Sequence, residues 1–181
     1  MHPSRRTLMA FSAAAVMAAP AARAADADVI EARVERALQE LFATVDGAAE
    51  LYENAKGVLI MPDVTKAGFL VGGAYGEGAL RVGGQTVGYY SVAAASFGFQ
   101  AGVQSTKQAL FFLTDEALEG FRKADGWEIG ADAEFTIPGK GMNIGVDSTT
   151  RQAPVVAVVF GQDGIMAGAS IEGAKYSPIV R

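Results

Sequence analysis

Five glycines stand between Ala67 and Val82, at positions 68, 72, 73, 76 and 78, among aromatic and aliphatic side chains. Each interior glycine costs a helix about 1 kcal/mol relative to alanine, so extended chain is what this segment can form. Gly83-Gly84 then reads as a hairpin turn leading into a strand from Val87 to Ala95. In a sheet, glycines permit bulges or close backbone approach. A phosphate-binding loop would instead need its glycines to open a helix, and strand-like sequence continues here through Leu80 to Val82. Lys140, in Pro138-Gly139-Lys140-Gly141, lacks both the upstream glycine and the following Ser or Thr of a nucleotide site.

The flanking segments supply the remaining elements. From Asp28 to Tyr52 apolar residues recur as Ile30, Val34, Ala37, Leu38, Leu41, Val45, Ala48 and Tyr52, the spacing of one helical face, and Gly47 is a point where the helix can break. Gly57 to Met61 reads as a strand stopped by Pro62-Asp63, and Gln108 to Leu113 as another. Thr114 is placed to cap a short helix with Asp115 and Glu116 in its first turn and Arg122 and Lys123 in its last. Trp127 to Ile137 alternates, which predicts a half-buried antiparallel strand with Glu128, Asp132 and Glu134 on its wet face. Pro154 to Phe160 and Ile165 to Ile171 are two further strands around a turn at Gln162-Asp163-Gly164. The expected class is α+β: an N-terminal amphipathic helix, then a mostly antiparallel sheet, curved or barrel-like, with one short inserted helix.

Residues 1–24 are set apart. Arg5 and Arg6, a short Ala-rich apolar stretch and Ala22-Arg23-Ala24 are the three parts of a secretory signal peptide. Ser4-Arg5-Arg6-Thr7-Leu8-Met9 also resembles a twin-arginine export signal, and a general secretory signal remains the alternative. Either route predicts a periplasmic or secreted product, with 25–181 as a single domain. Cleavage would remove the one His and three Arg, moving the net charge from −5 to −8. The remaining domain would hold neither His nor Cys. That excludes imidazole- and thiolate-based nucleophilic triads and metal sites, so no enzyme, no cofactor and no metal are expected.

Charge along the domain is uneven. Residues 25–54 are net −6 and residues 108–181 net −4, whereas residues 55–107 are net +2 through Lys56, Lys66, Arg81 and Lys107 against Asp63 and Glu77. This centre is the stretch suited to an anionic headgroup, while the acidic whole argues against nucleic acid. Of the central aromatics Phe69, Tyr75, Tyr89, Tyr90, Phe97 and Phe99, most are expected in the core and a minority at an apolar groove or lipid interface. Ser91, Ser96, Ser105 and Thr106 have no His partner, and no motif supports a dyad with Lys107.

A family resemblance runs through the same centre. Ala55-Lys56-Gly57 before an apolar run and Pro62, then Lys66-Ala67-Gly68-Phe69 and Gly72-Gly73, resembles the opening of the SYLF domain. Ser96-Phe97-Gly98-Phe99-Gln100-Ala101-Gly102, Gly126-Trp127 and the closing run Gly164 to Gly173 continue it in order. The resemblance, to a secreted bacterial member, implies a non-catalytic domain that binds membrane lipid, with phosphoinositide and actin binding known among eukaryotic members. The N-terminal helix is acidic where those members are basic, so neither phosphoinositide selectivity nor actin is expected here. The expected ligand is phospholipid or another amphiphile. Lys56 and Lys66 are the candidates for an acidic headgroup and Phe69 for the apolar part, with a structural or protein-interaction module of the envelope as the alternative.

Overall fold

A computed structural model describes residues 26–139, 141–145, 152–161, 164–166, 171 and 173–181, with the side chains of 68–71 and 96–103 outside that description. The expected signal peptide, Lys140, Gln162-Asp163 and part of the expected strand from Ile165 to Ile171 lie outside the described residues. The fold is α+β, as expected. The helical stretch forms α1 (Ala27–Thr44) and α2 (Ala48–Asn54), broken at Gly47, whose φ of 82° is the left-handed region that glycine enters without penalty. α3 (Asp115–Lys123) begins where Thr114 accepts a hydrogen bond from the Ala117 amide at 3.2 Å.

Two very long strands dominate. β1 (Gly57–Val82) and β2 (Gln85–Phe112) form one antiparallel hairpin through the Gly83-Gly84 turn, in register from Val82 opposite Gln85 to Gly57 opposite Phe112. Both turn glycines have positive φ, 57° and 78°, which suits the right-handed twist of a two-residue hairpin. The expected stop at Pro62-Asp63 is not one: β1 runs through it, with the register shift between Met61 and Val64 marking a bulge that accommodates proline. The separate strands read from 57–61, 67–82, 87–95 and 108–113 are therefore parts of two. The inner partner of the sheet is β2, which also pairs with β5 (Val155–Gly161) along Lys107–Phe112 and with β7 (Lys175–Ile179) along Tyr89–Ala93.

Short strands complete the edges. β3 (Trp127–Glu128) pairs with β7, β4 (Phe135–Thr136) runs parallel to β5, and β6 (Gly164–Ile165) returns along β5. The single strand expected over Trp127 to Ile137 is thus two short pieces. Gly130, at φ 87°, turns the chain, and the Glu128 amide donates to Asp132 Oδ2 instead of to a neighbouring strand. Glu128, Asp132 and Glu134 are exposed, as expected of a wet face. β7 was not anticipated from the sequence.

The hairpin is folded in half. A Cβ on Gly76 would lie 2.5 Å from the Asp63 carbonyl oxygen, one on Gly78 would collide with the Ile60 carbonyl, and Gly57 approaches Val82. All three are approaches of β1 to itself, centred between positions 69 and 70, at the register irregularity between Gly68 and Leu70. The sheet is consequently a strongly curled half-barrel. Glycine in the 72–78 run serves close backbone packing, the reading preferred over a nucleotide loop.

Curling gives the sheet two apolar faces. Leu59, Met61, Leu110, Phe112, Val155, Ala157 and Val159 point into the curl with Phe121, Trp127 and Tyr176. Their neighbours Val58, Ile60, Ala109, Phe111, Val156, Val158 and Phe160 face outward and are covered by Ile30, Val34, Ala37, Leu38 and Leu41 of α1. Burial on both faces is why these strands read as unbroken apolar runs instead of alternating ones.

Candidate functional site

The folded hairpin has two ends, and the sequence-predicted residues are divided between them. Lys56 sits at the end shared by the Gly83-Gly84 turn, since the adjoining Gly57 packs near Val82 and Leu118. Its backbone amide donates to Phe112 O at 2.8 Å, and its exposed ammonium lies 3.7 Å from Asp115 at the start of α3. Lys66 is half-buried in β1 toward the bend, opposite Gln104. Phe69 lies at the bend itself, and its side chain is outside the description. Ten residues of extended strand separate the two lysines by roughly 30 Å, too far for one headgroup.

The other two bases of the central segment are held by α1. Arg81 Nη2 is 2.8 Å from Glu31 and 3.9 Å from Glu35, with Nη1 donating to Gly84 O at 3.1 Å. Tyr89 donates its phenol to the other oxygen of Glu31 at 3.0 Å, and Lys107 lies 3.1 Å from Glu40. At about 100° per residue, Glu31 and Glu40 fall on opposite flanks of the buried stripe of α1. The acidic helix is therefore pinned to the basic sheet along both margins. Charge counting along the chain showed the contrast between these segments but not that they neutralise each other. The available signal was the four-residue spacing of Glu31 and Glu35, which puts two acids on one flank.

A cavity of about 240 Å³ opens beside this junction, lined by Tyr52, Glu53, Ala55, Gly57, Val58, Arg81, Gly83 and Gly84. That is below the usual range of ligand pockets and too small for an acyl chain. Burial pushes the Tyr52 phenol above its ordinary value, an effect opposed by Arg81 and reinforced by Glu35. Tyr89 is raised by burial and by its hydrogen bond to Glu31. Both shifts keep the phenols protonated at neutral pH, so that Tyr89 acts as a hydrogen-bond donor to Glu31. Among the described residues no cluster of three His, Cys, Asp or Glu could hold a metal ion, and no helix is long and apolar enough to cross a membrane.

The bend has a different character. Described positions on its approaches, Thr65, Ala67, Gly73, Ala93, Ala95, Gln104 and Ser105, are exposed, while Ala94 among them packs against the inner core. The register sets Leu70 opposite Gly98 and Val71 opposite Phe97 at this place. The turn-back is glycine-rich and apolar in sequence. Of the central aromatics, Tyr90 is core, Tyr89 half-buried and Tyr75 46 % exposed, the last donating to Glu77 at 2.7 Å.

Comparison with known proteins adds one finding. The model of the Ysc84 family, described as "Las17-binding protein actin regulator", matches residues 93–179. No curated protein matches the chain. The matched span holds the Ser96 to Gly102, Gly126-Trp127 and Gly164 to Gly173 motifs, while Lys56, Lys66 and Phe69 precede it. The match, which takes in most of β2, α3 and the described strands that follow, agrees with the resemblance to the SYLF domain read from the sequence.

Proposed function

We propose that this is a non-catalytic domain that binds phospholipid or a similar amphiphile in the cell envelope after export through its N-terminal signal. The observation that carries the reading is the match of residues 93–179 to the Ysc84 (SYLF) family model, and the exposed positions on the approaches to the glycine-rich bend, Thr65, Ala67, Ala93, Ala95, Gln104 and Ser105, support it. Phe69 at the bend would enter the apolar part of the ligand layer, with Lys66 three residues away at headgroup depth. Lys56, at the other end beside Asp115, would reach only a different lipid molecule. A binding role is also favoured by what the carboxylates do. Glu31, Glu35 and Glu40 are engaged with arginine or lysine, and Glu77 lies against Arg181, so these acids are ion-pair partners in the resting fold.

Mass spectrometry of the protein isolated from the envelope without detergent tests this. Phospholipid recovered in stoichiometric amount is the expected outcome. Recovery of one stoichiometric protein partner without lipid would replace the proposal with a role as an envelope interaction module.

A further inference from the structure

The cavity at the turn end of the hairpin has no part in the lipid-binding reading. Gly83 and Gly84 border it without side chains, and a Cβ built on either would meet nothing within 4 Å. Tyr52, from α2, forms another wall. Its ring is fixed by Phe42, with centroids 5.3 Å apart at 73°, while its phenol has no hydrogen-bond partner among the described residues. The next residue, Glu53, also lines the cavity, is exposed, and makes no ion pair among the described residues. At roughly 30 Å³ for each water-sized atom, a volume of about 240 Å³ holds a group of about eight non-hydrogen atoms.

Charge selects what that group can be. Among the lining residues Arg81 is the one base, and its guanidinium is already engaged by Glu31 at 2.8 Å, Glu35 at 3.9 Å and the Gly84 carbonyl at 3.1 Å. Its Nε is buried and so closed to an incoming anion. With Glu53, three carboxylates stand against one guanidinium, and the surplus attracts a cation. Nearby Lys56 leaves that surplus unchanged, because Asp115 lies 3.7 Å from it. A hard metal ion needs several oxygen ligands, and the side chains of Ala55 and Val58 offer none. A cation that carries its own carbon surface suits both the carboxylate and the aromatic wall. We infer that this cavity binds a small organic ammonium ion, its charge beside Glu53 and its carbon surface against Tyr52 and Val58. The same group occurs in free amines and at the end of phospholipid headgroups, and the site recognises the ammonium in either.

Nuclear magnetic resonance of the full chain, as the cell processes it, tests this through the amide signals of Gly57, Gly83 and Gly84 during titration with choline. Saturable shifts of these signals with a Kd of about 1 mM or below are expected. The neutral isostere of choline, in which a tert-butyl group replaces the trimethylammonium, should bind at least about tenfold more weakly. Glu53→Gln is expected to weaken choline by about threefold to tenfold, and Tyr52→Leu by about threefold or more. The comparison with the isostere uses the unaltered chain, so it decides the matter even where Tyr52→Leu does not fold. A short-chain phosphatidylcholine, kept below its micelle concentration, separates the two sources. Its binding at the same glycines shows that a lipid headgroup supplies the ammonium, and its exclusion while choline binds assigns the site to a free amine. Silence of the three glycines toward both, equal binding of the neutral isostere, or a response to glycerol phosphate in place of choline overturns the inference. Recovery of phospholipid with the isolated protein is a separate outcome, so failure of this site leaves the lipid-binding reading standing.

Discussion

At Gly78 a hydrogen atom decides the fold of the hairpin. A methyl group there would be driven into the Ile60 carbonyl and against the Met61 sulfur at 2.7 Å, inside a strand with no room to shift. Gly78→Ala is therefore expected to cost about 1–3 kcal/mol, the range for overpacking a filled site. Gly73 is the matched control, since its added Cβ would meet only Ala94 O at 3.8 Å and its φ is ordinary. Gly73→Ala should be neutral or stabilise by about 0.4–1 kcal/mol through the unfolded chain. Urea unfolding of the pair measures both, and equal losses would show that β1 does not fold against itself at Gly78. Buried polar contact is similarly local: Tyr176 donates to Gln108 Oε1 at 2.8 Å, which supplies each with a partner inside the curl.

Among the elements, α1 is attached by both shape and charge. Its apolar stripe covers the outer face of the sheet, while Arg81 and Lys107 hold its two margins through Glu31 and Glu40. Arg81→Met would leave the Glu31 carboxylate with only the Tyr89 phenol. The side chains are 15 % and 31 % exposed, so water partly compensates, and a loss of about 1–2 kcal/mol is expected in thermal or urea unfolding. A loss below about 0.5 kcal/mol would mean that the stripe alone positions the helix. Local chemistry made much of this layer legible in the sequence: the break at Gly47, the Thr114 cap and the Gly83-Gly84 turn each depend on residues within a few positions. Legibility ended where the determinant was distant. Pro62 looked like a strand end because its accommodation by a bulge depends on pairing with β2, and Trp127 to Ile137 looked like one strand because alternation survives a turn at Gly130. Lys66 and Lys56 looked like a pair because sequence does not reveal that half a hairpin lies between them. The folding of β1 onto itself left only its glycines as a sign.

For the whole molecule, all five tyrosines are held above their ordinary titration range, Tyr52, Tyr75, Tyr89, Tyr90 and Tyr176 alike, with burial as the first cause in each. A phenol whose folded-state value is raised contributes stability that is complete below the unfolded value near 10 and lost as pH rises past it. Stability should therefore hold through neutral and mildly alkaline pH and fall above about pH 10. Tyrosinate ultraviolet absorbance should lag behind that of free tyrosine until unfolding releases it. Appearance of most of the signal below that pH, with the fold intact, would contradict the burial described.

The strand β7 has a further consequence when its place beside β2 is considered. Ile179 lies opposite Tyr89, and Tyr89 reaches Glu31 near the start of α1, so the described beginning and end of the chain meet on the turn-side half of the hairpin. The bend is a dozen or so extended residues away, on the order of 40 Å. A label attached beside Ala27 or Ile179 would therefore sit at the opposite end of the sheet from the bend, like a handle on a blade. Tagged forms can accordingly be immobilised by either end with the bend presented to the opposite phase.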